Sequence, residues 1–375
     1  MESFIIVGIT LFSVYILDRW DNRLLQKLFE WVPAILLAYL IPAGISLLFG
    51  KDYSAGYIHT FNKEYLILLA VLASMSSLSL VQLKAIGWKP LAVFLAGSLW
   101  IAVFPILLIV IWLNQDFVAE VLKDLEYWKG LPPIVGSWIG GSTSQLVLKE
   151  IVNCPEHIFL TILVMDNVLV NVWTILMFQG IKESNFLNQK LGITDSKMPV
   201  SLEESSDGEF SLLLIAVVLI ASVFLVNVVT ENYIAKILLL SGLGLVLGNY
   251  VKGWNVKIAL KMGSLLILIV MAVLGLKLRF SAFELNLELL FFLVIWLISH
   301  LFVMLGLAKI LNVNVAWVPI ASMANVGGIA TAPAVTAAYE KKWMPHAIVL
   351  AILSMATGTF WGMLTIFLLK MIFDL

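Results

Sequence analysis

The chain has 375 residues, 61% of them hydrophobic and only 13% charged, with a formal net charge of −1 and a mean hydropathy of +1.02. Soluble domains carry about a quarter charged residues, so the composition excludes an ordinary soluble domain and indicates a polytopic membrane protein. The near-zero net charge gives no reason to expect a nucleic-acid partner, and the single cysteine excludes an internal disulfide or a Cys-based metal pair.

A spanning helix needs about 20 apolar residues. Twelve stretches approach that length: 3–17, 31–49, 65–83, 90–113, 131–152, 158–181, 210–229, 234–251, 258–278, 287–311, 315–339 and 345–373. The first has no basic residue before it and no small-residue cleavage site after it, so it reads as a retained helix. Arg19, Arg23 and Lys27 follow it and favour an outside N-terminus. Trp20, Trp31, Trp88, Trp128, Trp254, Trp317 and Trp343 stand at stretch edges, as interfacial anchors do. The third stretch is rich in hydroxyls (Ser74, Ser76, Ser77, Ser79, with Gln82), which either line a pathway or bond back to helix carbonyls. Cys154 reads as an apolar filler beside Pro155.

The fifth and eleventh stretches are interrupted. Leu131–Ile151 reads LPPIVGSWIGGSTSQLVLKEI, with Gly140 and Gly141 at its centre. Residues 315–339 read VAWVPIASMANVGGIATAPAVTAAY, with Gly327 and Gly328 at the centre. A broken helix survives in hydrocarbon only where protein or a water-filled cavity pairs its backbone groups. Its exposed half-helix ends carry partial charges that suit an anion at the N-terminus and a cation at the carbonyls. The candidate solute-binding residues are therefore Gly140, Gly141, Ser142, Thr143, Ser144, Asn325, Gly327, Gly328 and Thr331. Close helix packing through small residues is the competing explanation for either run alone; two matched runs favour a site.

The sixth stretch carries Asp166, Asn167, Asn171 and Thr174, which fall on one polar stripe at helical spacing. An acidic residue at membrane depth is a functional candidate by default. Asp166, Asn167, Asn171, Thr174 and Gln145 are the candidate ion-coupling residues, with Na⁺ placed at Asp166, Asn167 and Gln145. Alternatively, Asp166 exchanges a proton or is neutralised by a structural partner. His300 lies inside the tenth stretch, either as a neutral histidine bonded to a neighbouring helix or as a proton relay. Glu150 and Glu340 end the interrupted stretches beside Lys149, Lys341 and Lys342, a pattern of interfacial ion pairing.

The polar stretch 182–209 lacks apolar periodicity and reads as a linker between halves of six stretches each. The interrupted stretch is fifth in both halves, and His157 and His346 each precede the sixth. If every stretch crosses, Lys and Arg divide almost evenly between the two sides, against the positive-inside rule. If each glycine-paired stretch instead dips in and returns, the second half is inverted and the cytoplasmic side gains the excess. Inversion is the expectation, and a broken spanning helix with one other stretch miscounted would give it equally well. No HExxH, GxSxG or P-loop lysine motif occurs, so an enzyme is not expected.

VGSWIGGSTS, the Asp166 stretch, ASMANVGGIATAPAV, the segment around His300 and GTFWGM (Gly358–Met363) together resemble the bacterial membrane family called "domain of unknown function 819". That family is grouped with the cation:proton antiporter and anion transporter superfamily. The resemblance implies an all-α polytopic membrane protein of two inverted repeats, with a panel and a core domain and two interrupted helices crossing in the core. Mapped here, 1–181 is the first repeat (panel 1–83, core 90–181), 182–209 the linker, and 210–375 the second repeat (panel 210–278, core 287–375). It also implies an elevator-like secondary transporter in a bacterial inner membrane. The cargo expected is a small organic anion or zwitterion (a carboxylate, amino acid or small peptide), coupled to Na⁺ or H⁺. A cation/proton antiporter using Asp166 and a non-transporting sensor are the alternatives. The expected partners are solute, coupling ion, lipid and a second copy through the panel, with no cofactor besides Na⁺ and no nucleic acid.

Overall fold

The computed structural model describes residues 2–19, 34–54, 56–78, 80, 86–112, 116–194, 208–278 and 286–373. Trp20, Trp31, Arg23, Lys27, Ser79 and Gln82 lie outside them. The described residues are helical, with no strand among them. In a bilayer only a helix or a closed barrel satisfies every backbone group, and the uninterrupted apolar runs favour the helix.

The helices are α1 (Glu2–Arg19), α2 (Ala34–Phe49), α3 (Tyr57–Phe61), α4 (Ile67–Met75), α5 (Trp88–Ile111), α6 (Leu131–Ile151), α7 (Glu156–Lys182), α8 (Ser184–Leu191), α9 (Leu212–Val229), α10 (Tyr233–Tyr250), α11 (Val256–Gly275), α12 (Leu287–Ile310), α13 (Trp317–Val326), α14 (Gly328–Ala337) and α15 (Met344–Phe373). Among the described residues, seven of these are long and apolar enough to cross a membrane: α5, α7, α9, α10, α11, α12 and α15. Such a set suits a multi-pass membrane protein. Side chains set the starts of α9 to α12: Ser211, Asn232, Asn255 and Asn286 accept from backbone N–H groups three residues on.

The chain folds into two compact units. The first comprises Met1–Ser77, Asn153–Asn171 and Asp207–Leu285. Here α11 packs on α2 and α4, and α10 packs on α4. Small residues set the close approaches: a Cβ on Gly275 would run into the Tyr39 carbonyl, and one on Gly248 into that of Ser76. A π-helical turn, Asn62–Leu66, joins α3 to α4, and Asn227 Nδ2 donates to the Glu64 carbonyl within it (2.8 Å). Ser76 and Ser77 donate to the carbonyls of Ala73 and Ser74, so their hydroxyls are occupied by their own chain. Cys154 is buried, as its reading as a filler requires.

The second unit comprises Leu78–Val152, Val172–Ser206 and Asn286–Leu375. Its centre is the packing of α15 against α6 and α14, with α5 and α13 alongside. Trp138 of α6 meets Trp296 of α12 edge to face, their rings 4.8 Å apart. The start of the stretch read as a linker is ordered here: Ser184–Leu191 forms α8, ended by Gly192 in the left-handed region. Asn188 accounts for this, donating to Asn314 Oδ1 and accepting from the Val315 N–H. Polar pairing holds a helix that has no apolar stripe to announce it.

Candidate functional site

Both glycine pairs break the helix, and they do so in the same way. In α6 the backbone leaves the helical region at Gly141 (φ 67°, ψ −166°), a conformation essentially restricted to glycine. At the second pair α13 ends and α14 begins, with Gly328 at φ 68°. The second glycine of each pair has open space around it, so the backbone alone demands glycine there. The first glycine answers a different need. A Cβ on Gly140 would collide with Ser144, and one on Gly327 with Thr331. In each break a hydroxyl residue four positions on folds back over the first glycine.

The two breaks are joined by α15. Ser354 Oγ reaches both the Ile139 carbonyl, at the end of the first half of α6, and Asn325 Oδ1, two residues before the second pair (2.9 Å). Gly358, one turn further, lies so close to Gly140 that a Cβ would strike its backbone. Thr359 donates to Ser144 Oγ (3.1 Å). From α5, Ser98 Oγ donates to Asn325 Oδ1 (3.1 Å). Upstream on α13, Ser322 Oγ accepts from Trp173 Nε1 (2.9 Å) and lies 3.2 Å from His300 Nε2. A fully buried ring bonded to a neighbouring helix is the structural alternative read for His300.

The predicted solute residues thus all lie in the second unit, with Thr143, Ser144 and Asn325 buried and Ser142 and Thr331 half-buried. Gln145 belongs to the same unit and is 2% exposed. Asp166 is 4% exposed. It groups with Asn167 and Asn171 in the first unit, whereas Thr174 falls in the second. Asn167 donates to the Leu163 carbonyl one turn back (2.7 Å). Lys149 Nζ and Glu150 Oε1 pair at 3.4 Å, although the lysine side chain is buried. Glu340 accepts from the Lys342 backbone N–H. No group of three or more His, Cys, Asp or Glu able to hold a metal occurs among the described residues.

Ser98, Ser322, Ser354, Thr359 and Trp173 were not singled out from the sequence. A lone hydroxyl in an apolar helix is an ambiguous signal, because it so often bonds back to its own helix. The GTFWGM stretch held the one usable hint, since its glycines are the contact face of α15. Against Gly362, a Cβ would meet Leu148 of α6.

A helical chain with membrane-length apolar helices and two glycine-broken elements meeting in one unit is of the multi-pass membrane class. The family described as "Protein of unknown function (DUF819)" matches residues 5–372, and the chain belongs to it. No curated protein matches the chain.

Proposed function

We propose that the protein is a secondary active transporter that binds a small organic anion or zwitterion where the two broken elements meet. The observation that carries this reading is the meeting of both breaks at Ser354, with buried hydroxyl and amide groups around it. Breaks expose helix ends that pure packing would keep paired, and matched broken segments in two halves are a transporter feature. On this reading the halves are inverted repeats, the panel and core move as an elevator in a bacterial inner membrane, and two copies associate through the panel.

Asp166 supplies the coupling, with Na⁺ or H⁺ as the driving ion. A carboxylate 4% exposed on a membrane-length helix is a functional candidate by default. The same observation supports the second reading, a cation/proton antiporter. Proteoliposomes separate them: a Na⁺ or H⁺ gradient should drive solute uptake, and Asp166→Asn should abolish accumulation while leaving solute exchange. Ion exchange without any solute would establish the antiporter instead. Accumulation that survives Asp166→Asn would remove the residue from the mechanism.

A further inference from the structure

A pocket of about 480 Å³ opens where α5 ends and α12 begins, lined by Trp112, Phe117, Leu287, Glu288 and Phe291. All five belong to the second unit, and none takes part in either glycine break. Trp112 follows the last residue of α5, and Phe117 begins a π-helical segment, Phe117–Asp124. Trp112 lies parallel to Phe291 (centroids 6.5 Å apart, planes at 6°) and edge to face with Phe117 (6.2 Å). Behind them Phe292, fully buried, packs against both Trp112 (6.0 Å) and Phe117 (5.8 Å). The aromatic wall is therefore fixed from behind, while the space in front of it is unfilled. Its volume falls within the roughly 300–1,000 Å³ usual for ligand pockets.

Among the described lining residues, Glu288 is the one charged side chain, and among the described residues its carboxylate has no ion-pair partner. An acidic residue in a first helical turn complements the macrodipole, which accounts for its charge but not for the rings around it. A cation seated here would meet the negative faces of the rings as well as the carboxylate; an anion would be repelled by both. The surroundings say which kind of cation. Leu287, Phe291, Ile298 and Phe302 follow one another along α12 at helical spacing, and all four are exposed. On the other side of the pocket, α5 ends in the exposed Leu107, Val110 and Ile111. Both helices are of membrane length. An apolar track that starts at the pocket and follows a membrane-length helix suits an acyl chain, and a small water-soluble ammonium compound would leave it unused.

We propose that this pocket seats the ammonium headgroup of a membrane phospholipid. Glu288 is its counter-ion, Trp112, Phe117 and Phe291 supply the ring faces, and an acyl chain lies along the exposed face of α12. The site stands apart from the transporter reading and does not depend on it.

The test uses delipidated full-length protein in detergent, with bound lipid counted by native mass spectrometry. The probes are dioleoyl phosphatidylcholine, phosphatidylethanolamine and phosphatidylglycerol, which share acyl chains and differ in headgroup, with soluble choline and ethanolamine alongside. The first lipid bound to the wild type should favour the two ammonium headgroups over phosphatidylglycerol by about tenfold, the scale of a cation–π contact joined to a counter-ion. Glu288→Gln and Phe291→Leu should each remove most of that preference. Both side chains are exposed, so both variants should keep the melting temperature that the wild type shows without lipid. A role confined to packing or to the helix dipole would lower that temperature and leave the headgroup preference in place. A wild type that binds phosphatidylglycerol as tightly as the ammonium lipids overturns the proposal, as does a preference that survives both substitutions. Soluble choline or ethanolamine binding as tightly as the lipids would overturn the assignment to a phospholipid.

Discussion

The two glycine pairs reach one backbone solution by different means of support. At the second pair, the upstream helix α13 is held by hydrogen bonds: Ser98 and Ser354 on Asn325, Trp173 and His300 on Ser322. At the first pair, the hydrogen bonds of Ser354 and Thr359 onto α6 are joined by close contact, Gly358 against Gly140, Gly362 against Leu148 and Trp138 against Trp296. A break needs rigid neighbours because its freed backbone groups have no helical partner. Polar clamping and tight packing both supply them, and they should fail differently.

The largest contrast should come from the first glycine of each pair. The nearest atoms that Gly327→Ala meets belong to the side chain of Thr331 and the flexible end of Met323, so Gly327→Ala/Thr331→Ala should restore most of the lost stability. Gly140→Ala meets the Gly358 backbone as well as Ser144. Its cost, roughly 3 kcal/mol at the upper end for overpacking, should persist in Gly140→Ala/Ser144→Ala. Thermal denaturation in detergent reads both pairs, and equal rescue at both sites would erase the distinction.

The second glycines should behave alike. Gly141→Ala and Gly328→Ala have free space but a positive φ, so each should cost about 1–3 kcal/mol from the backbone alone. A difference larger than that range would mean that the two breaks do not share a geometry.

Ser354→Ala removes a hydroxyl that touches both breaks and leaves the Ile139 carbonyl and Asn325 each short of a partner. A loss of about 1–2 kcal/mol is expected, and it should be less than additive with Ser98→Ala, because both serve Asn325. Denaturation of the double variant checks this. The smallest effect should be Trp173→Phe, about 0.5–1 kcal/mol, since Ser322 keeps His300. If Trp173→Phe costs more than Ser354→Ala, the clamp on α13 is centred on Ser322 rather than on Asn325.

Most of the helices could be read directly, because a membrane-length apolar run is a one-dimensional signal. The predicted stretches 90–113, 158–181 and 287–311 became helices Trp88–Ile111, Glu156–Lys182 and Leu287–Ile310. Positions whose role depends on partners far along the chain could not be read. Ser354 acts on Ile139, and Thr359 on Ser144, each across a separation of 215 residues. The helix Ser184–Leu191 was hidden for a related reason, its polar face being paired with Asn314 and the Val315 backbone.

By itself, then, the sequence determined that this chain is helical, suited to a membrane and broken at two glycine pairs. Hydropathy, chain length and glycine's freedom of φ are local properties. Only the tertiary structure decided that the breaks meet at Ser354 and that each glycine of a pair has its own task. Those outcomes depend on which groups approach across hundreds of residues, and hydrogen bonding and steric exclusion act only at contact.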